Sequence, residues 1–172
     1  MTRATEGLAR SIQTRLASHA KAIRADPNLV LTRFATERLL YRLSVSPHAE
    51  RFVLKGALLL LAWLGETLRP TRDADLLGFG DLSDAALLRI FREVSRLPVA
   101  PDGLSFPPDA IRVSAIRLED RYGGRRVTLR GELGKLPGVR AVAILPTSLR
   151  GGFGSPVQAV LGGPDYERLA EW

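Results

Sequence analysis

Apolar residues recur at Leu8, Ile12, Leu16, Ala20 and Ile23, with arginines and polar residues between them. That spacing predicts an amphipathic helix. Asp26-Pro27 then offers an acidic cap followed by proline at a first helical position, predicting a second helix. Its apolar stripe runs through Val30, Phe34, Leu39, Leu40 and Leu43, and Ser44 to His48, with Pro47, closes it. Both helices read as a layer laid over a sheet, and His48 in the closing loop reads as a solvated side chain.

Phe52-Val53-Leu54-Lys55 is a short strand, Gly56 permits a sharp turn, and Ala57 to Leu64 is a strongly apolar helix that Gly65 can end. Arg69-Pro70-Thr71-Arg72 reads as a loop, because proline cannot donate to a ladder and discourages helix in its neighbour. Asp73 to Leu77 is the next strand, broken by Gly78-Phe79-Gly80-Asp81. Ser83 or Asp84 caps a further helix with apolar positions Leu87, Leu88, Phe91 and Val94. After the proline-rich connection Pro98 to Pro108, residues 111–116 and 125–130 flank Tyr122-Gly123-Gly124 and predict a hairpin.

Beyond Lys135 the pattern changes. Leu136-Pro137-Gly138 opens a stretch rich in Gly and Pro with short apolar runs at Val139 to Leu145 and Val157 to Leu161, and a junction is placed near residue 135. Arg150-Gly151-Gly152-Phe153-Gly154 lacks the Gly-Lys-Ser/Thr ending of a phosphate loop and reads as an ordinary loop.

Composition narrows the function classes. With 172 residues and 45% apolar content the chain can bury one good core. Its longest apolar run, Phe52 to Leu64, falls short of the roughly 20 residues that cross a bilayer, so no membrane insertion is expected. The N-terminus carries no apolar stretch of the secretory kind, which predicts a cytoplasmic protein. Cysteine is absent and only His19 and His48 are present, excluding thiolate chemistry and a His-rich metal site. The net charge of +7 suits a partner rich in phosphate, although an arginine-heavy, lysine-poor composition is also what a GC-rich genome encodes.

The candidate chemistry lies in two short segments. Asp73 and Asp75, two apart on a strand, share a face and can share divalent cations through hard carboxylate oxygens. Lys55-Gly56-Ala57 stands at a strand-to-helix turn, where backbone N–H groups of a helix start can approach phosphate once no side chain obstructs them. Thr71 and Arg72 add a hydroxyl and a cation just ahead of the first aspartate; their alternative role is to close the loop after Pro70.

Phe52-Val53-Leu54-Lys55-Gly56-Ala57-Leu58-Leu59, followed by Arg69-Pro70-Thr71-Arg72-Asp73-Ala74-Asp75-Leu76, resembles the AbiEii/AbiGii toxin family over about residues 10–135. The resemblance implies an α+β, nucleotidyltransferase-like fold, a small mixed sheet covered by N-terminal helices, truncated and followed by an irregular β-rich tail. It implies Mg²⁺ on Asp73 and Asp75, phosphate contacts from Lys55, Gly56, Ala57 and Arg72, and a catalytic hydroxyl on Thr71. It further implies a nucleoside triphosphate donor, tRNA or another RNA as acceptor, a cognate antitoxin, and a place in toxin–antitoxin systems and abortive phage defence.

This sequence departs from that pattern in several places. Ala57 stands where a second Gly or Ser is usual, and Ala74 where a larger apolar residue is common. The family's third aspartate and triphosphate-binding cation, expected beyond Gly134-Lys135, are not visible, and Glu132 is a weak substitute because it precedes that position. Residues 136–172 resemble instead a piece of the porter domain of resistance-nodulation-division efflux permeases. The expectation is therefore a partial nucleotidyltransferase-like domain over 1–135 with an appended segment over 136–172, weak or inactive. Two alternatives are a noncatalytic RNA- or antitoxin-binding module and a nonfunctional gene-fusion remnant; a third arrangement has residues 136–172 packing as edge strands on the first sheet.

Overall fold

The computed structural model describes residues 3–64, 71–116, 124–146 and 154–156. Helix α1 spans Arg3–Ala22 and α2 spans Pro27–Ser44. Asp26 caps α2 as its sequence predicts, its Oδ1 accepting from the Asn28 N–H at 2.9 Å. Ile12, Leu16 and Ala20 of the α1 stripe are buried, as are Val30, Phe34, Leu39, Leu40 and Leu43 of α2. Ile23 falls one residue past the end of α1 and is 53% exposed, so the stripe ends a position earlier than its spacing suggests.

Strand β1 (Phe52–Lys55) runs straight into α3 (Gly56–Leu64), and β2 (Ala74–Gly78) follows. Helix α4 (Asp84–Arg96) is capped by Ser83, whose hydroxyl accepts from the Ala86 N–H at 3.3 Å. Within the proline-rich connection lies a two-residue strand, β3 (Leu104–Ser105), absent from the sequence reading. Strands β4 (Ile111–Ile116) and β5 (Gly124–Leu133) pair antiparallel from Ile111↔Leu129 to Ile116↔Gly124, the pairing that a hairpin requires. Its predicted turn falls mostly on residues outside the described ones.

Beyond residue 135 the chain forms β6 (Leu136–Pro146), an eleven-residue strand that returns antiparallel along β5. The change of composition at Gly134-Lys135 coincides with the turn of this second hairpin, where Gly134 adopts φ +62°. Strand β6 is no edge strand: its other side pairs in parallel with β2, Ala74 against Ala143 and Asp75 against Ile144. The short β7 (Gly154–Pro156) pairs with β1 at the far edge, in a stretch that reads as loop from its glycines. The sheet order is β3-β5-β6-β2-β1-β7, with β4 also on β5.

Alternation divides the sheet into two faces. Leu54, Ala74, Leu76, Val127, Leu129, Ala141, Ala143 and Leu145 are buried on one face, in one core with the apolar residues of α1, α2 and α4. Arg126, Arg130, Glu132 and Arg140 are exposed on the other.

The loop before β3 is fastened to α2 by charge. Arg42 grips Asp102 through two bonds of 2.8 and 3.0 Å, Arg38 donates to the same carboxylate at 2.9 Å, and Asp102 accepts from the Leu104 N–H at 3.0 Å. These groups are almost fully covered, so each charge depends on the others for the hydration it has lost.

Candidate nucleotidyl-transfer site

The site is built where β1 ends and α3 begins. Gly56 has φ +73°, a left-handed conformation that glycine adopts at little cost. Its Cα faces Asp75: a Cβ added there would overlap Asp75 Oδ2 and stand 3.1 Å from Asp75 Cγ. The missing side chain therefore makes room for the carboxylate, and the turn backbone lies directly against it. The first N–H groups of a helix have no partner within it, so the start of α3 presents donors beside that carboxylate.

Register assembles the rest. Lys55 is the antiparallel partner of Asp75, which puts ammonium and carboxylate on one face of adjacent strands. Asp73, expected as the first residue of this strand, lies instead in a bend immediately before β2, two residues from Asp75. Both aspartates are half-buried. Lys55, Gly56 and Asp75 are thus brought together, with Asp73 one residue before β2 and Ala57 in the first turn of α3.

Thr71 and Arg72 hold the loop. The Thr71 hydroxyl donates to the Asp73 carbonyl oxygen at 3.2 Å. The Arg72 carbonyl accepts from the Thr36 hydroxyl at 3.4 Å, while its guanidinium lies 3.6 Å from Asp26 at the start of α2. The loop-closing role is the one their contacts display, with the Arg72 cation directed toward α2. His48, half-buried, meets Glu93 at 2.6 Å.

Strand β6 supplies the other wall. Because Asp75 pairs with Ile144, a half-buried isoleucine stands beside this carboxylate on the same face. Glu132 lies on β5 six residues from Arg126, which is the partner of Ile144, so it is about 20 Å along the strand from this rung. That distance removes it as a third ligand. Among the described residues no group of three or more acidic or histidine side chains gathers to hold a metal ion. Among the described residues at this turn, Asp73 and Asp75 offer hard oxygen donors of the kind a magnesium ion takes.

Two features of the site escape a reading of the sequence. The isoleucine beside Asp75 and the arginine beyond it are set by the β2–β6 and β5–β6 registers, which join distant segments. The signal that could have found them is the run Ala141 to Leu145, apolar on both faces as a central strand must be.

No curated protein matches the chain. The family model of the nucleotidyl transferase AbiEii toxin of type IV toxin–antitoxin systems matches residues 38–161. The match covers the C-terminal end of α2, the β1–α3 turn, the aspartate pair and β4 to β7, and it continues through the Gly134-Lys135 turn. The chain therefore belongs to the AbiEii nucleotidyl transferase toxin family.

Proposed function

We propose that this chain is a metal-dependent nucleotidyltransferase toxin that takes a nucleoside triphosphate as donor and RNA, such as tRNA, as acceptor, with low turnover. The observation that carries the reading is the fit of Gly56 against Asp75, which sets helix-start donors for a triphosphate beside carboxylates suited to Mg²⁺. Asp73 and Asp75 would hold the ion. When bound it supplies charge stabilisation for the leaving pyrophosphate and lowers the pKa of an attacking hydroxyl. The backbone of Gly56 and Ala57 orients the phosphates, Lys55 adds positive charge from the neighbouring strand, and Thr71 keeps the Asp73 backbone in place.

Low turnover follows from Ile144. An apolar side chain at the rung of Asp75 contributes no charge where a further carboxylate or cation would stabilise the transition state. The same observation favours a second reading, a noncatalytic module that holds RNA or a cognate antitoxin. No helix among the described residues is long and apolar enough to cross a membrane, and a cytoplasmic setting goes with the proposed substrates. Residues 38–161 act in this reading as one unit, with β6 inside the sheet that carries the site.

The test is transfer of label from radiolabelled nucleoside triphosphates to tRNA with Mg²⁺, using the wild type, Asp73→Ala and Asp75→Ala. Labelling that needs Mg²⁺ and disappears in both variants is expected. Equal labelling by all three proteins sinks the metal role, and RNA affinity without any labelling selects the noncatalytic module.

A further inference from the structure

We infer that the open face of the sheet is a docking track for the sugar–phosphate backbone of a single-stranded RNA, carried by Arg130, Arg140 and Arg126 and leading to the carboxylate rung. Arg130 on β5 and Arg140 on β6 are direct cross-strand partners, and both are exposed. Directly opposed side chains have Cβ atoms about 5 Å apart, and like charges there destabilise a strand pair. Among the described residues neither arginine has an ion-pair partner, and the same is true of Arg126. Glu132, two residues from Arg130, is exposed and makes no such pair either.

Neighbouring arginines are committed elsewhere. Arg125 bonds Asp84, and Arg112 donates to the carbonyls of Asp109 and Ile111. The sheet thus spends some arginines on its own structure and leaves three on one face facing solvent. Two opposed guanidinium groups without a carboxylate between them form a site whose repulsion an anion relieves.

The three cations also have a direction. Arg126 lies about 13 Å along β5 from Arg130 and two strands, about 10 Å, from Asp75, with Ile144 between. Between the two ends the Thr128–Val142 rung lies beneath the surface, Val142 being covered, and a polyanion seated on Arg130 and Arg140 and passing over it to Arg126 comes to the rung of Asp75 and Lys55. A polymer with regularly spaced phosphates matches this row, whereas one triphosphate is too short to span it. The link to the carboxylates rests on the nucleotidyltransferase reading; the docking itself does not.

The experiment follows the anisotropy of a short fluorescein-labelled single-stranded RNA against the full chain over a salt series, without Mg²⁺ or triphosphate. The proteins are the wild type, Arg130→Gln/Arg140→Gln, Arg126→Gln, and the control pair Arg15→Gln/Arg89→Gln from other exposed surfaces. Each lost contact lowers the slope of log affinity against log salt by about 0.7, so a drop of about 1.4 is expected for the first pair. Its melting temperature is expected to hold or rise, since a repulsion has been removed. Unchanged slopes, an equal drop in the control pair, a lowered melting temperature, or displacement of RNA by ATP as readily as by unlabelled RNA would each overturn the assignment. A chain that never transfers a nucleotide still passes or fails this test.

Discussion

Gly56 and Asp75 occupy each other's space: the carboxylate of one fills the volume that a side chain on the other would need. Gly56→Ala therefore meets two penalties, a left-handed backbone costing an L-residue about 1–2 kcal/mol and a displaced carboxylate. We expect a loss of about 2–3 kcal/mol in denaturant unfolding together with loss of transfer activity. Ala57→Gly, at the next position and without either constraint, is expected to cost about 1 kcal/mol. Similar melting of Gly56→Ala and wild type would remove the close approach from the account.

Ile144 can be used to probe the empty quarter of the site. Ile144→Asp places a third carboxylate on the face of Asp75, where three like charges repel without a cation. The variant is expected to be about 1–3 kcal/mol less stable than the wild type in EDTA. Mg²⁺ should restore much of that loss and raise the melting temperature more than it does in the wild type. A melting temperature that ignores Mg²⁺ in both proteins would show that the rung does not bind the ion.

Asp102 is shared by two arginines. Asp102→Ala leaves the guanidinium groups of Arg38 and Arg42 covered and uncompensated, for which an unfolding penalty of about 3–5 kcal/mol is expected. Chemical denaturation measures it. A penalty below about 1 kcal/mol would mean that the loop before β3 simply lifts away and lets water in.

Asp81 sets an acid limb. The Ser83 N–H donates to its Oδ1 at 2.9 Å, and with the Ser83 hydroxyl it holds this exposed carboxyl below its ordinary value. A carboxyl with a depressed folded pKa adds stability that is fully present above its unfolded value and lost as pH falls through the folded one. Asp81→Asn should therefore flatten the stability profile below about pH 4 and leave its neutral region nearly parallel to wild type. Identical acid limbs in the two proteins would count against the Ser83 bond.

The local half of the site was legible because its determinants are local. A cap at Asp26, a break at Gly56 and two carboxylates two residues apart carry their geometry within a few positions, and the structure places Lys55, Gly56 and Asp75 together. Strand β6 was obscured by Pro137 and Gly138, which interrupt its first residues and make a hairpin turn look like a change of protein. Its neighbours β5 and β2 both precede it, the first adjacent in the chain and the second separated from it by α4 and three strands, and no periodicity reports a parallel pairing across that distance. The same gap hid the isoleucine beside Asp75. Thr71 and Arg72 show the reverse: their types suit phosphate chemistry, and their contacts fasten a loop.

The placement of β6 also fixes when the site can exist. Asp75 lies on a strand whose inner neighbour is made long afterwards, since Ala74 must wait for Ala143 before the sheet closes. On a ribosome the β1–β2 pair emerges with both flanks bare, since β7 as well as β6 comes later, and the carboxylate strand gains its second wall only once the β5–β6 hairpin has been released. Long-range parallel pairing of this kind is slow to form. A growing chain thus lacks the wall that carries Ile144 until synthesis has passed the last residues of β6, a delay written into the strand order itself.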